Sequence, residues 1–316
     1  MADIYDVVII GGGPAGLTAG LYASRARMKA LLMEMGVCGG QAMIADTIEN
    51  FPAFPDGVKG HELAGWMTEQ AKRFGLAIET AEVKSVGRTA GLGGAFTVGL
   101  SGGAKIEALS VVVASGAKWK ALGIPGEGEL SGRGVSYCAT CDGPLFRGKD
   151  VVVVGGGDTA IEDALFLSKF ARKVTVVHRR DRLRAAKILQ ERAFAEKKIE
   201  FSLNSVAVAI EGKERVSGIR IKDVKTGKEA LLECGGVFVL IGLLPNSGVV
   251  RDLVKCDESG YIICDDDMKT SIDGIFACGD VRKKLLRQVV TATGDGATAA
   301  VSAGHYVDRL RGAEYK

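Results

Sequence analysis

Proline is scarce in this chain, at 6 of 316 residues, and so are aromatic side chains, at 6%. The low proline count excludes collagen-like and mucin-like chains, and a composition of 47% hydrophobic and 25% charged residues excludes a mainly disordered one. No apolar run approaches the ~18 residues of a membrane-spanning helix. Neither charge sign dominates: Lys+Arg 41 against Asp+Glu 38 leaves +3, which offers no global attraction to nucleic acid or an anionic membrane. Any basic site must be local. The N-terminal apolar run Val7-Val8-Ile9-Ile10 is short and follows Asp3 and Asp6 rather than a basic segment, so it reads as a strand and not as a signal peptide. Seven cysteines form neither a dense nor an even framework, which suits a reducing cytoplasm where thiols stay free unless they bind metal or do redox work. The length favours two domains.

What the chain has in excess is glycine, 44 residues or about 14% against a usual ~7%. Part of that excess is repeated. Val7-Val8-Ile9-Ile10-Gly11-Gly12-Gly13-Pro14-Ala15-Gly16 is echoed by Val151-Val152-Val153-Val154-Gly155-Gly156-Gly157-Asp158-Thr159-Ala160, an offset of 144 residues between Gly11 and Gly155. Each copy runs from a β-branched strand into a helix-compatible segment, Leu17 to Arg27 and Ile161 to Phe170. Each then returns to a strand, Ala30 to Glu34 and Val174 to His178. In such a βαβ unit the first glycines permit a tight turn and close approach of backbone N–H groups to a pyrophosphate at the helix N-terminus, and the third small residue lets helix pack on strand. A carboxylate about 20 residues on, here Glu34, accepts hydrogen bonds from a ribose. One G-x-G-x-x-G motif is weak evidence, because glycine-rich turns recur for structural reasons; two copies in the same strand–turn–helix–strand context predict two dinucleotide sites.

Where the first copy has Glu34, the second has His178-Arg179-Arg180 followed by Arg184. A carboxylate there would repel a ribose 2′-phosphate, whereas guanidiniums pair with it bidentately, so this copy predicts NADP(H). The bland alternative is a solvated basic helix start or a nucleic-acid patch.

Cys138-Ala139-Thr140-Cys141-Asp142 precedes the second glycine loop. Zinc needs further ligands, yet no other cysteine pair has that spacing and His61, His178 and His305 form no cluster, so no metal is expected. A structural thiol pair and a thiol–disulfide redox centre remain, and the two dinucleotide folds favour the second. Asp142 can move protons there, or simply shape the turn. The other five cysteines read as small hydrophobes.

Several motifs together resemble the low-molecular-weight, bacterial-type thioredoxin reductases over nearly the whole chain. They are Gly11 to Gly16 with Glu34, Gly39-Gly40-Gln41 with Glu49-Asn50-Phe51-Pro52, Ala114-Ser115-Gly116-Ala117, Ile124-Pro125-Gly126, Cys138 to Gly143, Gly155 to Ala160, His178-Arg179-Arg180 with Arg184, and Cys278-Gly279-Asp280 with Arg287-Gln288. The resemblance implies an α/β fold of two Rossmann-like, three-layer dinucleotide-binding domains with β-meander insertions. An FAD-binding domain would comprise 1–117 and 246–316, and an NADPH-binding domain, 118–245, would carry the redox-active pair. FAD would be held by Gly11, Gly13, Pro14, Ala15, Gly16, Glu34, Gly40, Gln41, Asn50, Ala114 and Gly116, with Asp280 on the ribityl chain and Arg287 and Gln288 near the isoalloxazine. NADPH would lie on Gly155, Gly157, Asp158, Thr159, Ala160, His178, Arg179, Arg180 and Arg184. Cys138, Cys141 and Asp142 would be catalytic, with Cys141 facing the flavin and Cys138 attacking the partner. Thioredoxin is the implied partner and a cytoplasmic homodimer the implied form, with no nucleic-acid or membrane partner.

The residues agree with the domain plan, since Val111 to Ala114 ends in Ser115-Gly116 and Val237 to Ile241 ends in Gly242, each crossing following a strand with turn residues. Period-two runs between Ile78 and Leu109, with a glycine-rich turn at Gly91 to Gly94, and again from Val216 to Leu232, suggest the β-meanders. The closing Val289 to Leu310 segment reads as a helix interrupted near Gly294-Asp295-Gly296. Two stretches depart from the family pattern: Lys283-Lys284-Leu285-Leu286 before Arg287, and Pro144-Leu145 after Gly143. Other functions within reach are reduction of a different thiol protein, dithiol oxidation, and an NADP(H)-responsive binding module without enzymatic activity.

Overall fold

A computed structural model describes residues 4–45, 47–89 and 94–312. The chain divides into two compact units, one formed by Met1–Lys118 with Leu244–Lys316 and the other by Trp119–Leu243. In chain order the first unit contributes β1 (Tyr5–Ile10), α1 (Pro14–Arg25), β2 (Ala30–Glu34), α2 (Gly60–Arg73), β3 (Ala77–Thr80), β4 (Val83–Arg88), β5 (Phe96–Leu100), β6 (Lys105–Val113) and the start of β7 (Ala117–Trp119). The second contributes β8 (Val135–Ser136), α3 (Ala139–Asp142), β9 (Asp150–Val154), α4 (Asp158–Leu167), β10 (Lys173–Val177), α5 (Lys187–Ala195), β11 (Ile199–Ser202), β12 (Ser205–Gly212), β13 (Val216–Asp223), β14 (Glu229–Glu233) and β15 (Gly236–Val239). The chain then returns through β16 (Leu243–Pro245) to β17 (Ile275–Ala277) and α6 (Val289–Leu310). The crossings β7 and β16 pair with each other.

In the first unit β3, β2, β1 and β6 lie side by side and parallel, and β17 joins β6 in the same sense. Strand β6 meets different neighbours along its length within this one sheet. Its start, from Lys105 to Ala108, pairs antiparallel with β5, and β5 pairs antiparallel with β4. This is the expected meander; Gly91 to Gly93 of its proposed turn lie outside the described residues. The second unit repeats the plan with a fully parallel sheet, β11-β10-β9-β15-β8, and an antiparallel β12-β13-β14 meander.

Central parallel strands are covered on both faces, which is why they read as unbroken apolar runs rather than alternating ones. Val7, Val8 and Ile9 of β1 and Val153 of β9 are wholly buried. Both repeated return strands form, at Ala30–Glu34 and Lys173–Val177. The helices start earlier than their apolar pattern suggests, at Pro14 and Asp158, because the glycine turn itself supplies the first helical residues. Gly11 adopts φ +107°, and a Cβ there would lie 2.5 Å from the Ala114 carbonyl oxygen. A Cβ on Gly16 would lie 1.8 Å from the Gly11 carbonyl oxygen, so only glycine allows α1 this close to its own turn.

Helix α6 corrects the sequence expectation. It runs unbroken from Val289 to Leu310 through Gly294-Asp295-Gly296. Glycine in a helix interior costs about 1 kcal/mol relative to alanine, but here it permits a close crossing: a Cβ on Gly296 would lie 2.2 Å from the Ala15 carbonyl oxygen. A capping box between Gln288 and Thr291 satisfies the first turn.

Candidate active site

The first glycine loop is tied to the end of β2. Glu34 accepts hydrogen bonds from Gly12 N–H through Oε2 at 2.7 Å and from Gly36 N–H through Oε1 at 3.0 Å. A carboxylate offers about four lone-pair directions, so acceptor capacity for a ribose is left. Gly39 N–H reaches the Gly12 carbonyl at 2.7 Å, and a Cβ on Gly40 would come within 3.1 Å of Gly13 Cα, so the second glycine pair lies against the first loop. Gln41 donates from Nε2 to the Ala117 carbonyl. Gly116, at φ +68°, accepts from Asn246 N–H at 2.9 Å.

Asp280 enters the same locality because Gly279, at φ +73°, packs on α1: a Cβ there would lie 2.8 Å from Ala15 Cβ. Asp280 Oδ1 is buried and has no hydrogen-bond partner among the described residues. Burial pushes its pKa up, opposed by Lys284 and Arg287. Arg287 lies over the Tyr261 ring at 4.2 Å, with its Nε buried and without a hydrogen-bond partner among the described residues. Asn50 and Gln288, 238 residues apart, meet through a 2.9 Å bond from Asn50 Nδ2 to Gln288 Oε1.

Within the divergent lysine stretch Lys284 is drawn inward, while Lys283, Leu285 and Leu286 are exposed. Lys284 Nζ pairs with Asp295 Oδ2 at 2.7 Å and Arg282 Nη1 with Asp295 Oδ1 at 3.1 Å, and these side chains are only 9–13% exposed. Asp295 also accepts from Gly279 N–H at 3.0 Å. No local motif announces a triad spread over two elements.

The second glycine loop is built like the first but faces a different partner. A Cβ on Gly156 would lie 2.3 Å from His178 Nδ1, so the imidazole packs directly on the loop where Glu34 approaches Gly12 in the other unit. His178 is 7% exposed, its Nε2 has no partner among the described residues, and burial lowers its pKa, with Arg184, Arg179 and Arg180 adding in the same direction. Those three arginines are exposed. Arg184 donates its backbone N–H to the Gly156 carbonyl at 2.7 Å, and its guanidinium lies 3.9 Å from the position of a Cβ on Gly157. Asp158 turns away from the loop to accept from Ala186 N–H at 2.7 Å, fixing the start of α5. Thr159 is exposed, while Ala160 is buried against Gly155.

Cys138 and Cys141 form a disulfide across the first turn of α3, with Cα atoms 5.3 Å apart. Cys138 is the N-cap, and its Sγ accepts from Cys141 N–H at 3.2 Å. Asp142 closes the turn. Its Oδ2 accepts from Ser136 Oγ at 2.6 Å, while Ser136 Oγ accepts from Cys138 N–H at 3.1 Å. Tyr137 stacks on Trp119 at 5.2 Å and donates to Glu127 Oε1 at 3.0 Å; burial, and then the charge and hydrogen bond of Glu127, push the phenol up to about 12. Glu127 is itself buried and holds Leu122 and Gly123 N–H at 2.9 and 2.8 Å. Ser136, Tyr137 and Glu127 escaped the sequence reading because serine, tyrosine and glutamate carry no signature outside their fold. Of the five free cysteines, Cys278 is fully buried and Cys234 is pushed up to about 12 by burial, so both are poor nucleophiles.

Residues 5–296 match the family described as pyridine nucleotide-disulphide oxidoreductase. The chain is 48% identical over 309 residues to a thioredoxin reductase of Bacillus subtilis (strain 168), covering 98% of this chain and 96% of that one. It is 47% identical to one of Treponema pallidum (strain Nichols), covering 98% and 100%. Among solved structures, thioredoxin reductase from Streptococcus pyogenes MGAS5005 superposes with a TM-score of 0.93 at 47% identity, covering 98% and 100%. The enzyme from Giardia duodenalis gives 0.88 at 37%, covering 95% and 98%. The similarity thus extends over nearly the full length, and the chain belongs to the pyridine nucleotide-disulphide oxidoreductase family, among the thioredoxin reductases.

Proposed function

We propose that this protein is an NADPH- and FAD-dependent thioredoxin-disulfide reductase. The observation that carries the reading is the Cys138–Cys141 disulfide in a chain whose two glycine loops end on opposite recognition chemistry, a carboxylate at Glu34 and three arginines at Arg179, Arg180 and Arg184.

The residues present fit both dinucleotides. In the first unit Asp280 Oδ1 and Arg287 Nε are buried polar atoms awaiting partners, beside a loop too tight for any side chain. Gly11, Gly13, Pro14, Ala15, Gly16 and Glu34 would hold the adenine half of FAD, with Gly40, Gln41, Asn50, Ala114, Gly116, Asp280, Arg287 and Gln288 toward the flavin. In the second unit Gly155, Gly157, Asp158, Thr159, Ala160 and His178 would cradle NADPH, and Arg179, Arg180 and Arg184 would clamp its 2′-phosphate. Accordingly 1–117 with 246–316 serves FAD, and 118–245 serves NADPH. Bound flavin supplies the two-electron exchange between a nicotinamide hydride and the Cys138–Cys141 disulfide.

Once the pair is a dithiol, the Cys138 thiolate attacks the disulfide of thioredoxin and forms a mixed disulfide. The Cys141 thiolate then attacks Cys138 Sγ, closing the protein's own disulfide and releasing thioredoxin as a dithiol. Asp142, held at Oδ2 by Ser136, delivers the proton to the departing thiolate. Exposed Tyr22 of α1 and Val301 and Leu310 of α6 support a homodimer joined through these helices. Five free thiols support a cytoplasmic location, and no described helix is long and apolar enough to cross a membrane.

The test is an anaerobic titration of the yellow protein with NADPH, followed by purified thioredoxin. Bleaching by NADPH and recovery of colour with thioredoxin dithiol as product are expected. Recovery only with a different thiol protein, or only with oxygen, would replace the substrate assignment, and a colourless protein that binds NADPH would replace the enzyme by a binding module.

A further inference from the structure

Asp280, whose buried Oδ1 has no hydrogen-bond partner among the described residues, sits in the middle of a turn that one other residue grips from both sides. The turn opens after β17, where Gly279 at φ +73° begins a single 3₁₀ turn that ends at Val281. The chain then runs extended. Successive side chains of an extended backbone point to opposite faces, so Arg282 and Lys284 face inward while Lys283 is exposed. Asp295 of α6 meets both flanks. Its Oδ2 accepts from Gly279 N–H at 3.0 Å, one residue before Asp280, and from Lys284 Nζ at 2.7 Å, beyond it. Its Oδ1 accepts from Arg282 Nη1 at 3.1 Å. The next residue of α6, Gly296, is the one pressed against the Ala15 carbonyl, and Gly279 itself packs on Ala15 Cβ. One step of α6 therefore fixes the Asp280 turn against the start of α1, the helix that opens from the first glycine loop.

We propose that Asp295 is a positioning residue for the flavin cofactor: by holding the turn at Gly279, Arg282 and Lys284 it keeps the open Oδ1 of Asp280 in place to accept a hydrogen bond from the cofactor. Fixing a turn does not require this chemistry. Burying two cations is costly, and apolar side chains of similar volume often give equal or better stability. The cluster also holds more positive than negative charge, Arg282 and Lys284 against Asp295, and the remaining carboxylate of the turn is Asp280. Burial pushes the Asp280 pKa up, and the charge of Lys284, ahead of that of Arg287, pulls it back down. Lys284 thus serves twice, as a handle for Asp295 and as a counter-charge that keeps Asp280 an acceptor. Asp295 acts through Asp280, since its own two oxygens are taken by three donors.

The inference rests on the FAD reading, and its test is cofactor retention rather than turnover. FAD released from the purified holoenzyme on dilution is followed by its fluorescence, which gives a dissociation constant for the parental protein, Asp280→Asn, Asp295→Asn and the double variant. Urea midpoints are read alongside by circular dichroism. Asparagine at 295 keeps the size of aspartate but turns an amide N–H2 toward at least one of the three donors, so the turn loses its grip. Each single variant should loosen FAD roughly tenfold or more. Because Asp295 acts through Asp280, the double variant should be no more than about threefold looser than the weaker-binding single one, the signature of two residues in one unit. Asp295→Asn/Lys284→Met leaves the net charge unchanged and guards against a failure to fold; it too should loosen FAD about tenfold, and by no more than about threefold further when Asp280→Asn is added. Parental FAD affinity in Asp295→Asn or in its charge-balanced form, or a larger further loss on combination with Asp280→Asn, would overturn the proposal and leave the cluster purely structural. A parental protein that takes up no FAD would instead overturn the cofactor reading, and this inference with it.

Discussion

Ser136 Oγ lies 2.6 Å from Asp142 Oδ2 and 3.1 Å from Cys138 N, so one hydroxyl holds both the Asp142 carboxylate and the Cys138 backbone. Strand β8, which ends at Ser136, is paired with β15 and delivers the serine to the redox turn.

Removing that hydroxyl should slow thiol exchange without touching the nicotinamide reaction. Ser136→Ala loses a hydrogen bond to a charged group, worth about 1.5–3 kcal/mol, and turnover with thioredoxin should fall by roughly tenfold or more. Asp142→Asn should fall by about 10²–10⁴. Stopped-flow absorbance should show flavin bleaching by NADPH at the parental rate in both. A parental thioredoxin turnover in Asp142→Asn would remove the acid from the mechanism.

The two cysteines should separate cleanly. Cys138→Ser and Cys141→Ser should both retain FAD, since neither residue belongs to the unit that carries Glu34 and Asp280. Cys141→Ser should stop electrons at the reduced flavin and, once reduced, trap a mixed disulfide through Cys138. Thioredoxin reduction by Cys138→Ser at the parental rate would reverse the assignment.

Coenzyme choice should follow the arginines. Each lost guanidinium–phosphate contact is worth about 1.5–3 kcal/mol, so Arg184→Ala should raise KM for NADPH roughly tenfold or more while leaving NADH nearly unchanged. The double variant Arg179→Ala/Arg180→Ala should add to it. Steady-state kinetics with the two coenzymes decide the matter: equal kcat/KM for both in the parental enzyme would refute the 2′-phosphate reading.

The Asp295 cluster should be structural first. Asp295→Asn leaves Lys284 and Arg282, at 9% and 13% exposure, without their counter-charge. Breaking a buried pair in this way costs about 3–5 kcal/mol, to be read as a lower urea midpoint with an unchanged slope. Asp295→Asn combined with Lys284→Met should recover part of that loss. A parental midpoint in the single variant would show that solvent already compensates the two cations.

Much of this was legible from local spacing. The glycine turns and the strand Ala30–Glu34 appear where the sequence places them, because a parallel βαβ unit needs its apolar strands, glycines and helix start within one short run of chain. The Cys138–Cys141 pair is legible for the same reason, two sulfurs on one turn. Helix α6 was not, since Gly294-Asp295-Gly296 has the composition of a break, and only the close approach of Ala15 makes glycine the residue that fits at position 296. The pairing of Asp295 with Arg282 and Lys284 and the grip of Ser136 on Asp142 lie equally beyond sequence reading. A carboxylate has no periodicity that names its partner. Which donor it meets is decided when separate strands and helices pack and exclude water, and that packing leaves each buried charge or N–H only the partners that the fold brings within reach.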